Sequence, residues 1–482
     1  MSADNSYAAV MDRLPQIIRN ATGIDYAAYE TGGLAFDYER MMASVGYSLE
    51  DIIRIQRSVG VGHTPLLELK NINALIRKIA PGGLGARIFI KDEQCNPSGS
   101  FKDRRAAMSA HQARKMGFRG LAAATSGNYG AAVASQAAML NLKCIIVQEC
   151  FDSRKVGQPE ILEKQRKCEC LGAEVIQLTV GPELFYSFLR ILEETGYFNA
   201  SLYSTFGIAG VETLGWEIAQ QCTEQLGRFP DYVVATQAGG GNLTGTARGL
   251  LKAGSGQTRV LGASVDLSGL HMASDRDFNR KSFTTGHTGF GVPYATDPDH
   301  SDVPRSAART LRYMDDYLLV KQGEVFYTTE MLAQLEGMER GPAGNTSLAA
   351  AFALAQTLDQ DRIIVVQETE YTGAGKHPLP QLAFAMANGI EVRRGDPEAE
   401  VPGANIILPD HPSRFRARHY DMAGLRKSYI RHALTRLTGA VTEPDIAFLA
   451  EETKTTTAFV RESLGELGVA VKPLASASKG VN

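Results

Sequence analysis

From about residue 120 onward, two hydrophobic rhythms take turns along the chain. Short unbroken runs of β-branched and small apolar residues predict buried strands at Leu121–Thr125, Cys144–Gln148, Glu174–Leu178, Tyr232–Thr236, Val260–Val265 and Ile363–Gln367. Between them, apolar positions three and four apart predict amphipathic helices at Ala131–Leu140, Gln158–Leu171, Pro182–Thr195, Ala209–Leu226, Thr244–Ala253 and Thr346–Leu358. Gly117, Asn141, Gly172, Gly196 and Gly227 stand where a left-handed cap would close a helix. Strands that alternate with helices are joined by right-handed crossovers into parallel sheets. The pattern therefore predicts an α/β protein with more than one sheet.

The flanks read differently. Residues 1–57 carry helical and aromatic patterns without a strand signal and predict a helical N-terminal arm. Residues 268–312, rich in Gly, Asp, Ser, Thr and Pro, form an irregular excursion of the kind that covers a site. Residues 406–482 return to helical patterning and predict a C-terminal appendage.

Composition narrows the class. A chain of 482 residues accommodates two or three domains, and 44% hydrophobic with 21% charged residues is ordinary for a soluble globular protein. A net charge of −3 without a charge run leaves no footprint for nucleic acid. No run of about 18 apolar residues predicts a membrane span. The first residues lack the basic and apolar regions of a secretory signal, so the expected location is cytoplasmic. Six cysteines in a chain this long predict no disulfide framework. Cys168 and Cys170 lack a second ligand pair, so no metal site is expected.

Four stretches carry chemistry. In "CNPSGSFKDRRA", Cys95 to Ala106, Ser100 and Asp103 have the spacing of a capping box. That predicts a helix starting at Ser100 with Lys102 as its second residue. A cation at the positive end of a helix, with Arg104 and Arg105 nearby, has its ammonium form disfavoured. A free amine is what a Schiff-base lysine needs; a solvated lysine on a basic face fits the same residues. In "ATSGNYGAA", Ala124 to Ala132, a strand-to-helix turn offers backbone N–H groups to a carboxylate or phosphate, or is an ordinary turn capped by Ser126 and Asn128.

In "YVVATQAGGGNLTGTARGLL", Tyr232 to Leu251, Gly239 to Gly241 allow backbone amides to close on a phosphate. Gly239, Gly241 and Gly245, with Asp266 ending the next strand, imitate a dinucleotide fingerprint, but the third glycine is displaced. In "IIVVQETEYTGAGKH", Ile363 to His377, a buried strand delivers Glu368, Glu370 and Thr372 into a glycine turn that lacks the spacing of a phosphate-binding Walker loop.

The order and spacing of these stretches, with Gly62-His63-Thr64-Pro65-Leu66 and Lys91-Asp92-Glu93 upstream, resemble fold-type II pyridoxal-phosphate enzymes, the group of threonine synthase and the tryptophan synthase β chain. The resemblance implies pyridoxal 5'-phosphate as cofactor and Lys102 as its Schiff-base lysine. It implies Asn128 at the cofactor's 3-hydroxyl, and Thr125, Ser126, Gly127, Asn128 and Tyr129 around an amino-acid carboxylate. Gly239, Gly240, Gly241, Asn242 and Thr244 would hold the phosphate, and Thr372 would meet the pyridine nitrogen. It further implies a larger cofactor-binding α/β domain, residues 58–98 and 206–405. A smaller, mobile α/β domain, residues 99–205, would carry the lysine and the carboxylate loop.

Within the group, "SLYSTFGIAGVETLGWEIAQQ", "GASVDLSGLHMASD", "FTTGHTGFGVPYA" and "ERGPAGNTSLAAAFALAQ" are most similar to the β subunits of 2-amino-4-oxopentanoate thiolases. That likeness, over roughly residues 1–435, implies thiolytic cleavage by coenzyme A to acetyl-CoA and alanine in amino-acid (ornithine) catabolism. It also implies a homodimer of this chain with a small second subunit. Cys95 is then either a small packing residue or a thioester carrier of the acyl group. Two alternatives stay open: a threonine synthase-like replacement or elimination on another amino acid, and a catalytically silent cofactor-binding scaffold.

Overall fold

The computed structural model describes residues 4–125, 127–181, 183–269, 275–284, 302–371 and 378–471. In chain order its strands are β1 (Leu66–Glu68), β2 (Arg87–Asp92), β3 (Gly120–Thr125), β4 (Lys143–Phe151), β5 (Glu174–Thr179), β6 (Phe198–Asn199), β7 (Tyr232–Thr236), β8 (Arg259–Val265), β9 (Asp316–Val320), β10 (Ile363–Glu368), β11 (Glu391–Gly395), β12 (Asn405–Pro409) and β13 (Arg418–His419). A seven-stranded sheet has the order β1-β2-β10-β7-β8-β9-β13, and a four-stranded sheet the order β5-β4-β3-β6. Inside each sheet the pairings are parallel, as helical crossovers require; only the edge strands β1 and β13 run antiparallel. A separate pair, β11 and β12, is also parallel.

All six predicted strands form, as do the helices between them. β2 escapes a hydrophobic scan because "RIFIKD" ends in charge, yet Lys91 and Asp92 are buried. Among the described residues, the N-terminal arm holds four α-helices, the last of them Leu49–Ser58, and helices Met422–Leu434, Glu443–Glu452 and Thr457–Glu466 follow β13. Among the described residues no helix is long and apolar enough to cross a membrane.

The helix Thr205–Leu226 is the wedge on which the two halves of the site rest. Ser204 caps it by accepting from the Gly207 N–H at 3.1 Å. A Cβ at Gly210 would collide with the Arg104 carbonyl, and one at Gly215 with the Thr246 carbonyl. Glycine there lets the wedge touch both the helix Lys102–Lys115 and the helix Gly241–Lys252 at backbone distance.

A buried ion network locks this packing. The Arg104 guanidinium donates to Glu93 through Nε at 2.7 Å and Nη2 at 2.8 Å, and to Glu217 through Nη1 at 3.0 Å and Nη2 at 2.8 Å. Lys91 Nζ donates to Glu217 Oε2 at 2.8 Å and to the Thr64 carbonyl at 2.5 Å. The Thr64 hydroxyl and Asn96 amide donate to Glu93, and the His63 N–H donates to Glu217. The upstream Gly-His-Thr motif, the Lys-Asp-Glu motif and Arg104 are thus one structural unit. Burial alone would raise the Glu217 pKa, but Arg104 and Lys91 hold the carboxyl far below its ordinary range.

Removing one partner of such a network strands the others. Glu217→Gln should destabilise the protein by about 3 kcal/mol, read as a lowered urea midpoint. Glu391→Gln, at a carboxylate that is 62% exposed beside Arg393, should leave the midpoint in place. Equal midpoints for the two variants would contradict this account.

Candidate functional site

Lys102 opens its helix, but not through the expected capping box. Phe101 is the cap residue and makes no side-chain cap bond. Asp103 accepts instead from the Ser98 N–H at 2.7 Å, and the Ser100 hydroxyl has no partner. The helix therefore begins at Lys102 itself. The turn before it is held by the end of β10: Phe101 N–H donates to Thr369 O at 3.0 Å, and Tyr371 N–H to Gly99 O at 2.9 Å. These two hydrogen bonds bring the lysine stretch against the Glu368–Tyr371 stretch.

The Lys102 ammonium lies 3.6 Å from Glu370 Oε2 and 4.6 Å from the centre of the Phe101 ring. Its side chain keeps 21% exposure, so the amine stays reachable. Burial pulls its pKa down to about 8; Lys164 and Arg105 add to the shift, while Glu370 opposes it. A freely solvated lysine would show none of this.

Glu370 is the hub. Its Oε2 accepts from the Asn128 amide and its Oε1 from the Ala343 N–H at 3.1 Å. Burial would neutralise it, but Lys102 and Lys164 hold its carboxyl below the ordinary value. Lys102 and Asn128, which are 26 positions apart in the chain, thereby share one carboxylate. Lys164 ion-pairs with Glu160, and its Nζ would lie 3.7 Å from a Cβ at Gly127. Burial opposes the Lys164 charge, but Glu160 and Glu370 keep it an ammonium facing the Gly127 turn.

Of the expected carboxylate loop, Thr125 Oγ1 accepts the Gly127 N–H at 3.0 Å, and Asn128 opens the helix Asn128–Met139. The Tyr129 hydroxyl donates to Ala200 O at 2.6 Å, so only the Tyr129 backbone remains for a ligand. Ser126 and Thr372 lie outside the described residues.

The glycine loop has the form a phosphate requires. Gly240 holds φ at +81° as the cap of the helix Gly241–Lys252, and a Cβ there would collide with Thr310 Oγ1. The Thr244 hydroxyl donates to Gly240 O at 2.8 Å, closing the loop from inside instead of pointing outward. Asn242 Oδ1 and Gln237 Oε1 are buried and unpartnered.

Two sequence alternatives lose ground. Asp266, the acid of the dinucleotide imitation, is engaged by Lys321 Nζ at 2.7 Å and the Ser268 N–H at 3.0 Å. Cys95 is exposed, but partial burial and Asp92, 3.7 Å away, push its thiol pKa up. That disfavours a nucleophilic thiolate. Nothing in the local sequence marks Lys164, because Glu160 and Lys164 have the four-residue spacing of an ordinary surface pair. Only the tertiary packing shows them buried.

Comparison with known proteins gives this geometry a context. The profile described as "Pyridoxal-phosphate dependent enzyme" matches residues 57–369. A 2-amino-4-ketopentanoate thiolase beta subunit of Acetoanaerobium sticklandii is 65% identical over 468 residues, covering 97% of this chain and 100% of that one. A threonine synthase of Halalkalibacterium halodurans is 25% identical over 297 residues, covering 61% of this chain and 76% of that one. The crystal structure of a cysteine synthase from Entamoeba histolytica superposes with a TM-score of 0.52 at 20% identity, covering 68% of this chain and 90% of that one. The last shows the shared fold.

A lysine pKa of about 8 leaves roughly a tenth of Lys102 as free amine at pH 7, against well under a thousandth at the ordinary 10.5. In protein freed of small molecules, modification of Lys102 by a neutral amine reagent should rise with pH through a midpoint near 8. Glu370→Gln should move that midpoint lower, since it removes the carboxylate that favours the ammonium. A midpoint above 10 in the native protein would contradict the burial argument.

Proposed function

The chain belongs to the pyridoxal-phosphate dependent enzymes, and on that premise we propose that it is the β-type chain of a thiolase. In this reading it cleaves 2-amino-4-oxopentanoate with coenzyme A, giving acetyl-CoA and alanine. The observation that carries the reading is 65% identity to a thiolase beta subunit along the whole length of that relative. The residues present suit the cofactor. A half-buried amine stands beside a carboxylate, and a glycine cradle at a helix N-terminus admits no Cβ at Gly240.

Lys102 would carry the cofactor and Asn128 would meet its 3-hydroxyl. Gly239, Gly240, Gly241, Asn242 and Thr244 would surround its phosphate, and Thr372 its ring nitrogen. Once bound, the cofactor supplies an electron sink for negative charge that develops at the substrate's α and β carbons. The protein's part is placement and proton traffic. Lys102, with a pKa near 8, is poised to take the proton from Cα and to return one to Cβ. Glu370 stays ionised and fixes both Lys102 and Asn128. The N–H groups around Gly127, with the Lys164 ammonium behind them, receive the substrate carboxylate.

The thiol of coenzyme A gives up its proton and attacks the C4 carbonyl, so that the bond between Cβ and C4 breaks with the acyl group leaving as the thioester. The proton taken from Cα and the one lost by the thiol are matched by one proton returned to Cβ and one to Cα, which completes alanine. A relative named as a beta subunit supports a companion chain; we assign part of the coenzyme A site to that chain, and take two copies of the present chain as the core. Residues 99–205, with the small sheet and the Lys102 helix, act as the mobile domain that closes over 58–98 and 206–405. In this reading the reaction takes place in the cytoplasm.

The test is product analysis with the companion chain, 2-amino-4-oxopentanoate and coenzyme A present. Acetyl-CoA and alanine should form in equal amounts, and Lys102→Ala should lower the rate by about a thousandfold or more. Ammonia and a keto acid in place of those products would make the enzyme an eliminase. Phosphate release from O-phosphohomoserine would favour the threonine synthase-like activity.

A further inference from the structure

One turn after Lys102, Arg105 is a cation without an anion. The residue is 5% exposed, and among the described residues no carboxylate pairs with it. Its Nε has no partner, and its single hydrogen bond, from Nη1 to Leu202 O, is long at 3.4 Å. Burial pulls its pKa down to about 10, and only the Tyr129 and Tyr203 hydroxyls oppose the shift. Buried arginines are ordinarily paired, as Arg104 is beside it. An unpaired one points to a ligand.

The side chain aims at one place. A Cβ at Gly241 would lie 2.6 Å from Arg105 Nη2 and 3.0 Å from its Cζ. Gly241 is the first residue of the helix Gly241–Lys252, a 12-residue helix whose leading N–H groups and dipole favour an anion. The Phe101 ring, 5.1 Å from the guanidinium carbon, backs it. Two independent positive features therefore converge on the glycine loop, one from each helix that leans on the wedge.

We propose that Arg105 is the counter-cation of the cofactor phosphate, meeting the dianion beside Gly241 at the glycine loop. This rests on the pyridoxal-phosphate reading and adds to it a side-chain charge that backbone N–H groups alone do not supply. It also couples two functions within one helical turn. Lys102 holds the reacting end of the cofactor and Arg105 its phosphate, so a shift of that helix moves both together.

The experiment compares pyridoxal phosphate with pyridoxal, which lacks the phosphate, on wild type and Arg105→Met, by equilibrium binding. Wild type should prefer the phosphorylated form strongly. Arg105→Met should weaken pyridoxal phosphate by about 100-fold and leave pyridoxal within a few-fold, with Arg105→Lys recovering part of the loss. Undiminished preference in Arg105→Met would overturn the proposal. Failure of wild type to bind pyridoxal phosphate would overturn the cofactor reading beneath it. Should Arg105→Met not fold, the phosphorus resonance of the wild-type holoenzyme decides. A phosphate held as a dianion by Arg105 keeps a constant shift as pH falls to about 6, where a free monoester takes up a proton. A resonance that titrates there would contradict the proposal.

Discussion

A guanidinium with no exposure, forked between two carboxylates, sets the position of everything chemical in this protein. Arg104 lies two residues after Lys102 and one before Arg105, and its fork to Glu93 and Glu217 fixes the rotation of their helix. With Arg104 turned into the network under β2, Lys102 is left to face Glu370, and Arg105 to face the glycine loop. Lys91 balances the second carboxylate, so two cations meet two anions and no charge is stranded. Such a network adds little net stability over apolar packing, and its value is in geometry: any rotation breaks several charge-assisted bonds at once.

The site itself runs on the opposite principle. Its charges are incompletely matched, and that is what makes it reactive. Lys102 sits near one carboxylate but close to two further cations, and burial brings its pKa to about 8. Glu370 serves Lys102, Asn128 and the Ala343 N–H together, and so cannot neutralise the lysine fully. Among the described residues Arg105 has no acid, and its Nε has no partner. A satisfied network lies directly behind an unsatisfied one, and the rigid half holds the reactive half in place.

Much of this was legible in the sequence because the elements obey simple periodicities. The six predicted strands and the helices between them form with small shifts at their ends. The order of the lysine turn, the Ser-Gly-Asn turn and the triple glycine was enough to predict the cofactor. Features that depend on tertiary context were not legible. β2 looks too polar until Glu217 pairs its Lys91, and the Ser100–Asp103 spacing imitates a cap that the Ser98 N–H takes over. Lys164 resembles a solvated helix residue, and Arg105 one more charge in a basic run, because burial and the absence of a counter-ion leave no mark on local sequence.

The central claim is that the Arg104 network presents Lys102, and no other lysine, to the cofactor. Borohydride reduction of the cofactor-loaded protein, followed by peptide mapping, tests it most directly, because it fixes the cofactor to the amine that holds it. The account predicts the label on the peptide that contains Lys102. A label on Lys91 or Lys164, the buried lysines near the site, would contradict it.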